Sequence, residues 1–135
     1  MSIIIPSIPC IGPSLEELKA AQKNVQNFCK ETYVGTLYTN ASSGDSILVT
    51  AGGVKHTSHV AKPTLIRSLY ILPQIIETAN KTGMVRDKLG RPDIACVHKY
   101  EADMSDGDLE LIALIIVRES ASGMKNFYDL SFLKR

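Results

Sequence analysis

The chain has no tryptophan, few aromatic residues (6%) and no strong charge of either sign, with a formal net charge of +1. Because aromatic residues are scarce, aliphatic side chains must build the core, and a hydrophobic content of 44% is enough for one core. Tight nucleic-acid binders usually have a clear basic excess, since phosphate neutralisation drives their affinity. The charge balance argues against such a binder, although a local basic cluster could still act on RNA transiently.

Motifs of several protein classes are also missing. The three cysteines, Cys10, Cys29 and Cys96, include no CxxC pair, which excludes a recognisable disulfide framework or zinc signature. No apolar run approaches the roughly 18 residues of a membrane-spanning helix, so we expect no membrane partner. The sequence contains no GxxxxGK[ST], GxGxxG or GxSxG motif and no suitably placed acidic pair. We therefore expect no cofactor and no bound metal.

The pattern of residues predicts one domain over 14–135 after an extended lead-in over 1–13, which contains three prolines and no charge. Ser14 followed by Glu17 is typical of a capping box, and apolar residues at spacings of three and four predict a helix to about Lys30. The run from Thr64 to Lys81 is also helical in character, and Pro73 should kink or split it.

Strands account for most of the remaining chain. The sequence predicts a hairpin of 34–39 with 46–50, a loop over 84–92 and a final meander of 93–102, 109–117 and 127–133. The order α-β-β-α-β-β-β predicts an α+β fold, with an N-terminal helix and central helices packed on a twisted antiparallel sheet.

Histidine is the residue best suited to give and take protons near neutral pH, and two of the three histidines follow the Gly52-Gly53 break. We expect this break to place Lys55, His56 and His59 in a loop, where catalytic groups are often exposed. Two other interpretations stay open: an ordinary solvated loop, or a zinc site for which no third ligand is evident. His98 lies within a strand, where a structural role is the commoner one.

A second set of candidates is basic or lies on the last strands. Arg86 and Lys88 could bind phosphate, since guanidinium matches phosphate oxygens, or they could belong to a solvated charge cluster. Strict alternation in the last strand predicts one face with Phe127, Asp129 and Ser131, and an opposite, core face with Tyr128, Leu130 and Phe132. Arg118 ends the neighbouring strand and could reach Asp129 and Ser131, so this face is either open to water or the floor of an active site.

The segment Gly35-Thr-Leu-Tyr-Thr-Asn, Ile47-Leu-Val-Thr and Ala51-Gly-Gly-Val-Lys-His, together with Phe127-Tyr-Asp-Leu-Ser, resembles the barnase/EndoU/colicin E5–D/RelE-like ribonucleases. The resemblance covers about residues 15–134 in element order. It is greatest to nuclease modules of phage polyvalent proteins and of contact-dependent toxin C-termini. By matched position, His56 would be the catalytic histidine, Lys55 would assist it, Arg86 would hold phosphate and Ser131 would match a last-strand hydroxyl.

This resemblance implies a metal-independent endoribonuclease toxin domain whose substrate is RNA, with tRNA as one candidate. Attack by the ribose 2′-OH would give a 2′,3′-cyclic phosphate and a 5′-OH end. His59, Lys88, Arg118 and Asp129 are the expected substrate-binding residues. We expect action in the cytoplasm, of a target cell if a larger secreted protein delivers the domain. We also expect a monomer when unbound, and a cognate immunity protein whose acidic residues meet Lys55 and Arg86.

Two other function classes stay open at this point. The chain could be a non-catalytic binding or structural module, associated with phages or toxins, that keeps the same scaffold. A transferase such as an ADP-ribosyltransferase is less well supported, because the expected Arg, Ser-Thr-Ser and Glu-x-Glu arrangement is missing. Toxicity that depends on His56 would favour the nuclease over the module.

Overall fold

A computed structural model describes residues 2–7, 14–60, 62–86 and 94–134. Within these residues the chain forms four helices and seven strands, which confirms the predicted α+β class. No helix in the described part is long and apolar enough to cross a lipid bilayer. The elements, in chain order, are β1 (Ile3–Ile4), α1 (Leu15–Thr32), β2 (Leu37–Thr39), β3 (Ser46–Leu48), α2 (Ala51–Ser58), α3 (Pro63–Leu69), α4 (Leu72–Thr78), β4 (Asn80–Arg86), β5 (Cys96–Asp106), β6 (Leu109–Glu119) and β7 (Lys125–Lys134).

The strands form one sheet in the order β1-β5-β6-β7-β3-β2, and β4 pairs with β5 on the same side as β1. The predicted meander is confirmed, because β5, β6 and β7 pair antiparallel in sequence order. The predicted hairpin is also confirmed as β2 and β3, with shorter strands. The sheet is not wholly antiparallel, however, because β1 pairs with β5 and β3 pairs with β7 in parallel. In both pairs the two strands are far apart in the sequence, and a long connection of this kind allows parallel pairing.

Local signals explain the first and central helices. Ser14 caps α1, and its hydroxyl accepts a hydrogen bond from the Glu17 amide at 3.2 Å, as the capping-box pattern predicts. Pro73 lies in the first turn of α4, and the helical run is split at Tyr70 and Ile71 as predicted. The buried residues of α1, α3 and α4 pack with the inner face of the sheet in one core.

Two segments differ from the sequence-based predictions. The predicted loop around Lys55 and His56 is wrong, because Ala51–Ser58 form α2. The predicted helix end at Lys81 and the loop from Met84 are also wrong, since Asn80–Arg86 form β4 against β5. This strand is largely exposed at the sheet margin, so its polar composition is typical of a loop. Residues 87–92 of the predicted loop lie outside the described residues.

Polar side chains tie the turn of the hairpin to the end of α4 and to the sheet. Asn40 is fully buried, and its amide donates hydrogen bonds to the carbonyls of Ile76 and Ala79, both at 2.7 Å. Asp45 accepts hydrogen bonds from Lys81 at 2.8 Å and from the Tyr100 hydroxyl at 2.5 Å. Burial opposes ionisation of this carboxyl group, but these hydrogen bonds outweigh it and lower the pKa of Asp45 to about 2.

Candidate functional site

Helix α2 lies along the free margin of β7, and the hydroxyls of its N-cap Thr50 and of Thr57 fix its position. The Thr50 hydroxyl accepts from the Gly53 amide at 3.1 Å and donates to the Phe127 carbonyl at 3.2 Å. The Thr57 hydroxyl accepts a hydrogen bond from the Leu130 amide at 3.1 Å. Both hydroxyls therefore satisfy main-chain groups of β7 that have no strand partner on this side.

His56 lies on α2 where the helix meets β7. Its Nε2 atom is 3.7 Å from Oδ1 of Asp129, and the two side chains are 46% and 23% exposed. The imidazole also stacks on the ring of Tyr128, with centroids 4.2 Å apart and an angle of 26° between the planes. The half-exposed imidazole is thus held against an aromatic ring and beside a carboxylate, and it remains reachable from solvent.

Arg118, near the end of β6, contacts the same tyrosine. Its guanidinium carbon lies 3.3 Å from the centre of the Tyr128 ring. Such stacking restricts the guanidinium and keeps a permanent positive charge at the cavity that His56 also lines. Tyr128 thereby links the candidate proton carrier to the candidate phosphate-binding group.

A β-bulge explains how Tyr128 comes to lie there. Val117 of β6 pairs with Phe127, while the preceding Ile116 pairs with Asp129, so Tyr128 is an extra residue in β7. Phe127 is consequently 1% exposed and faces the core together with Leu130. The prediction that Phe127 shares a face with Asp129, and that Tyr128 belongs to the core face, is wrong because the bulge interrupts the alternation.

A cavity of about 410 Å³ opens beside these side chains. We call it the first cavity, and its lining includes Thr50, Gly52, Gly53, His56, Arg118 and Asn126. The first amides of a helix have no acceptor within the helix and carry partial positive charge. The first turn of α2 and the guanidinium of Arg118 therefore favour an anionic ligand in this cavity.

A smaller cavity of about 280 Å³ lies on the other side of Asp129. We call it the second cavity, and its lining includes Val60, Lys62, Leu65, Asp129, Ser131 and Lys134. Ser131 is two residues beyond Asp129 on the same face of β7, since both pair with residues of one face of β6. The predicted last-strand hydroxyl is thus close to Asp129 but lines a different cavity from His56.

The remaining predicted residues lie away from this group. Lys55 is exposed on α2 and lines a separate cavity toward α1 with Gln26 and Lys30. His59 is the exposed C-cap of α2. Among the described residues, no group of three His, Cys, Asp or Glu side chains is placed to share a metal ion.

The structure does not bring Arg86 to the site. Arg86 pairs with Cys96 of β5, which pairs with Glu119 of β6, so register puts it on the face opposite Arg118. Two strands, β5 and β6, also separate β4 from β7. Arg118, rather than Arg86, is therefore the guanidinium that contacts Tyr128 and lines the first cavity together with His56. Lys88, the other predicted phosphate ligand of that segment, lies outside the described residues.

Sequence reasoning missed the roles of Thr57 and Tyr128 in this arrangement. Besides holding Leu130, the Thr57 hydroxyl lies 3.5 Å from Oδ1 of Asp129. The position of Tyr128 beside His56 depends on the bulge in β7, and this bulge has no signature in the sequence. His98, for which the sequence favoured a structural role, is 2% exposed, and its Nε2 atom is hydrogen-bonded to Glu119 at 2.7 Å.

The fold and the site define a small α+β domain with an imidazole, a carboxylate and a guanidinium at a helix–strand junction. The chain belongs to the family described as large polyvalent protein-associated domain 3, whose sequence model matches residues 16–128. No curated protein and no solved structure matches the chain. Membership confirms the predicted relationship to phage polyvalent-protein modules, whereas RNA cleavage stays a prediction.

Proposed function

We propose that this domain is a metal-independent endoribonuclease with His56 as its proton carrier. The observation that carries the proposal is the 3.7 Å approach of His56 Nε2 to Asp129, beside a cavity that His56 shares with Arg118. An imidazole, a carboxylate and a fixed positive charge are the groups that transesterification of RNA requires.

In the proposed reaction, His56 removes the proton of a ribose 2′-OH, and the 2′-oxygen attacks the adjacent phosphorus. The bond to the 5′-oxygen then breaks, this oxygen takes a proton from water, and the hydroxide that remains takes back the proton held by His56. The products are a 2′,3′-cyclic phosphate and a 5′-OH end. Because DNA lacks the 2′-OH, it cannot react in this way.

Each neighbouring side chain has a distinct task in this reaction. Asp129 stabilises the imidazolium that forms when His56 accepts the proton. Arg118 stabilises the negative charge that develops on the phosphorane oxygens. Tyr128, stacked against His56, restricts the orientation of the imidazole. Arg118 takes the phosphate-binding role that the sequence analysis gave to Arg86.

The partners of the domain follow from the same proposal. RNA, with tRNA as one candidate, is the substrate, and the reaction would take place in a cytoplasm. A cognate immunity protein would block the first cavity with acidic residues directed at Arg118, and could extend to the exposed Lys55 on the neighbouring face of α2. The free domain would act as a monomer, since all the proposed reacting groups come from one chain.

The test is cleavage of total RNA by the purified domain in EDTA, with the ends of the products analysed. We expect cyclic phosphate ends from the wild type and loss of cleavage in His56→Ala. His59→Ala is the matched control, because His59 is the exposed C-cap of the same helix and lines neither cavity. Circular dichroism checks that each variant is folded. An inactive wild type, or a fully active His56→Ala, would contradict the proposal and favour the non-catalytic module.

A further inference from the structure

The two cavities flank the same pair of side chains. His56 lines the first cavity and Asp129 lines the second. The distance between His56 Nε2 and Asp129 Oδ1 is 3.7 Å. A ligand reacting at this pair would therefore have room on both sides. The arrangement fits a polymer that crosses β7, with its reacting bond above the pair.

The second cavity combines apolar walls with positive charge at its margin. Its walls include Val60, Leu65 and Phe132, while Lys62 and Lys134 are both exposed. Lys62 is the exposed residue that precedes α3, so its ammonium group lies in solvent at this margin. Apolar walls suit the faces of a nucleobase, and ammonium groups at the margin suit phosphates.

Main-chain groups add hydrogen-bonding capacity to this cavity. The Leu130 amide points toward α2, where Thr57 accepts its hydrogen bond. Alternate residues of a strand direct their amides to the same side, so the Phe132 amide faces the same margin of β7. Phe132 lines the second cavity, and its amide can therefore donate to the edge of a bound base.

We propose that the second cavity is a nucleobase subsite, so that a single RNA strand crosses β7 with the nucleotides flanking the cleaved phosphodiester in the two cavities. Lys62 and Lys134 hold phosphates of the strand as it leaves the second cavity. This inference rests on the proposed function, which supplies the identity of the polymer. Of the residues that line this subsite, the sequence analysis connected only Asp129 and Ser131 with RNA.

The test uses a binding probe that cannot be cleaved, so binding is separated from catalysis. The probe is a fluorescein-labelled hexanucleotide of 2′-deoxy residues with mixed bases, and its binding is followed by fluorescence anisotropy at several salt concentrations. Each phosphate contact on a single strand changes the slope of log K against log salt by about 0.7. The double variant Lys62→Gln/Lys134→Gln should therefore flatten the slope by about 1.4, which corresponds to roughly 25-fold weaker binding at 0.1 M salt relative to a 1 M reference.

A matched control and a second kind of variant complete the design. Lys19→Gln/Lys23→Gln removes two exposed lysines of α1 that line neither cavity, and it should leave the slope unchanged. Val60→Trp should fill the second cavity, because Val60 is 48% exposed and lines it. We expect this variant to weaken probe binding and to change the base preference next to the cut in RNA, and thermal melts verify that it folds.

The outcomes separate this inference from the proposed function. Equal slopes for the two double-lysine variants, or unchanged affinity and base preference in Val60→Trp, would overturn the nucleobase subsite even if RNA is cleaved. A protein that binds the probe with the expected slope change but cleaves no RNA would overturn the proposed function and leave the strand-binding subsite standing. If extended peptides bound at this margin and the oligonucleotide probe did not, the subsite would also be overturned, since the result would identify strand addition to β7.

Discussion

Gly53 of α2 lies so close to Phe127 of β7 that a Cβ atom on the glycine would overlap the phenylalanine carbonyl oxygen. The neighbouring Gly52 has open space at the same position. The double glycine therefore has two different roles: one residue permits the helix to approach the strand, and the other leaves the wall of the first cavity unfilled.

We predict that Gly53→Ala destabilises the domain by about 1–3 kcal/mol, because main-chain atoms cannot move aside as a flexible side chain could. Gly52→Ala is the matched control and should be neutral or slightly stabilising, since alanine favours helix more than glycine does. Urea denaturation of the two variants measures the difference. Equal stabilities would show that α2 does not pack against β7 as described.

Thr57 provides a second test of the same junction. Thr57→Val keeps the shape of the side chain but leaves the buried Leu130 amide without its acceptor, and an unsatisfied buried amide costs about 1–3 kcal/mol. Thr57→Ser keeps the hydroxyl and should lose less. The free energy of unfolding of each variant, from chemical denaturation, decides between them. If the valine variant were the more stable of the two, the hydrogen bond would be unimportant.

Arg118→Lys tests the guanidinium. Lysine keeps the charge but loses the planar stacking on Tyr128 and the two-pronged geometry toward phosphate, so we expect about a tenfold fall in kcat/KM for RNA. Arg86→Lys is the comparison, because Arg86 lies on the opposite face of the sheet. Steady-state cleavage of a labelled RNA measures both. A larger loss for the Arg86 variant would favour the role predicted from sequence.

Much of the fold could be predicted because its signals are local. Ser14 and Glu17 mark the start of α1, Pro73 divides the central helices, and the apolar runs of β5 to β7 define the meander. The errors lie where tertiary contacts override local preference. Glycines disfavour helix, but two hydroxyls and a tight approach to β7 stabilise α2. The polar sequence of β4 resembles a loop, but pairing with β5 makes it a strand.

The candidate site was only partly accessible to the same reasoning. Composition and element order were enough to single out His56, Arg118 and Asp129, and the structure brings these three together. Their distances depend on the register of β6 with β7 and on the bulge, neither of which is encoded in a short motif. Arg86 was chosen by its charge and its position after a helix, but charge carries no information about which face of the sheet it occupies.

The Asp45 cluster predicts a specific acid sensitivity. The pKa of this carboxyl group is about 2 in the folded protein, against 3.8 ordinarily, so ionisation stabilises the fold above about pH 4. This contribution, about 1–2 kcal/mol after allowing for solvent screening, should be lost as pH falls from about 4 to about 2. Unfolding free energies measured across this range should fall more steeply in the wild type than in Asp45→Asn.

The control for this experiment is Asp108→Asn, which changes an exposed carboxyl group in the turn between β5 and β6. Its acid profile should follow that of the wild type. If Asp45→Asn followed it as well, the hydrogen bonds from Lys81 and Tyr100 would not account for the stability at low pH.

The extra residue in β7 has a consequence for how the domain tolerates insertions and deletions. In an unbroken strand, Phe127 and Asp129 would have to point the same way, so either an aromatic ring would leave the core or a carboxylate would enter it. Loss of the codon for Tyr128 would leave Phe127 opposite Val117 and Asp129 opposite Ile116 in regular alternation, so both residues would keep their environments while the ring between His56 and Arg118 disappeared.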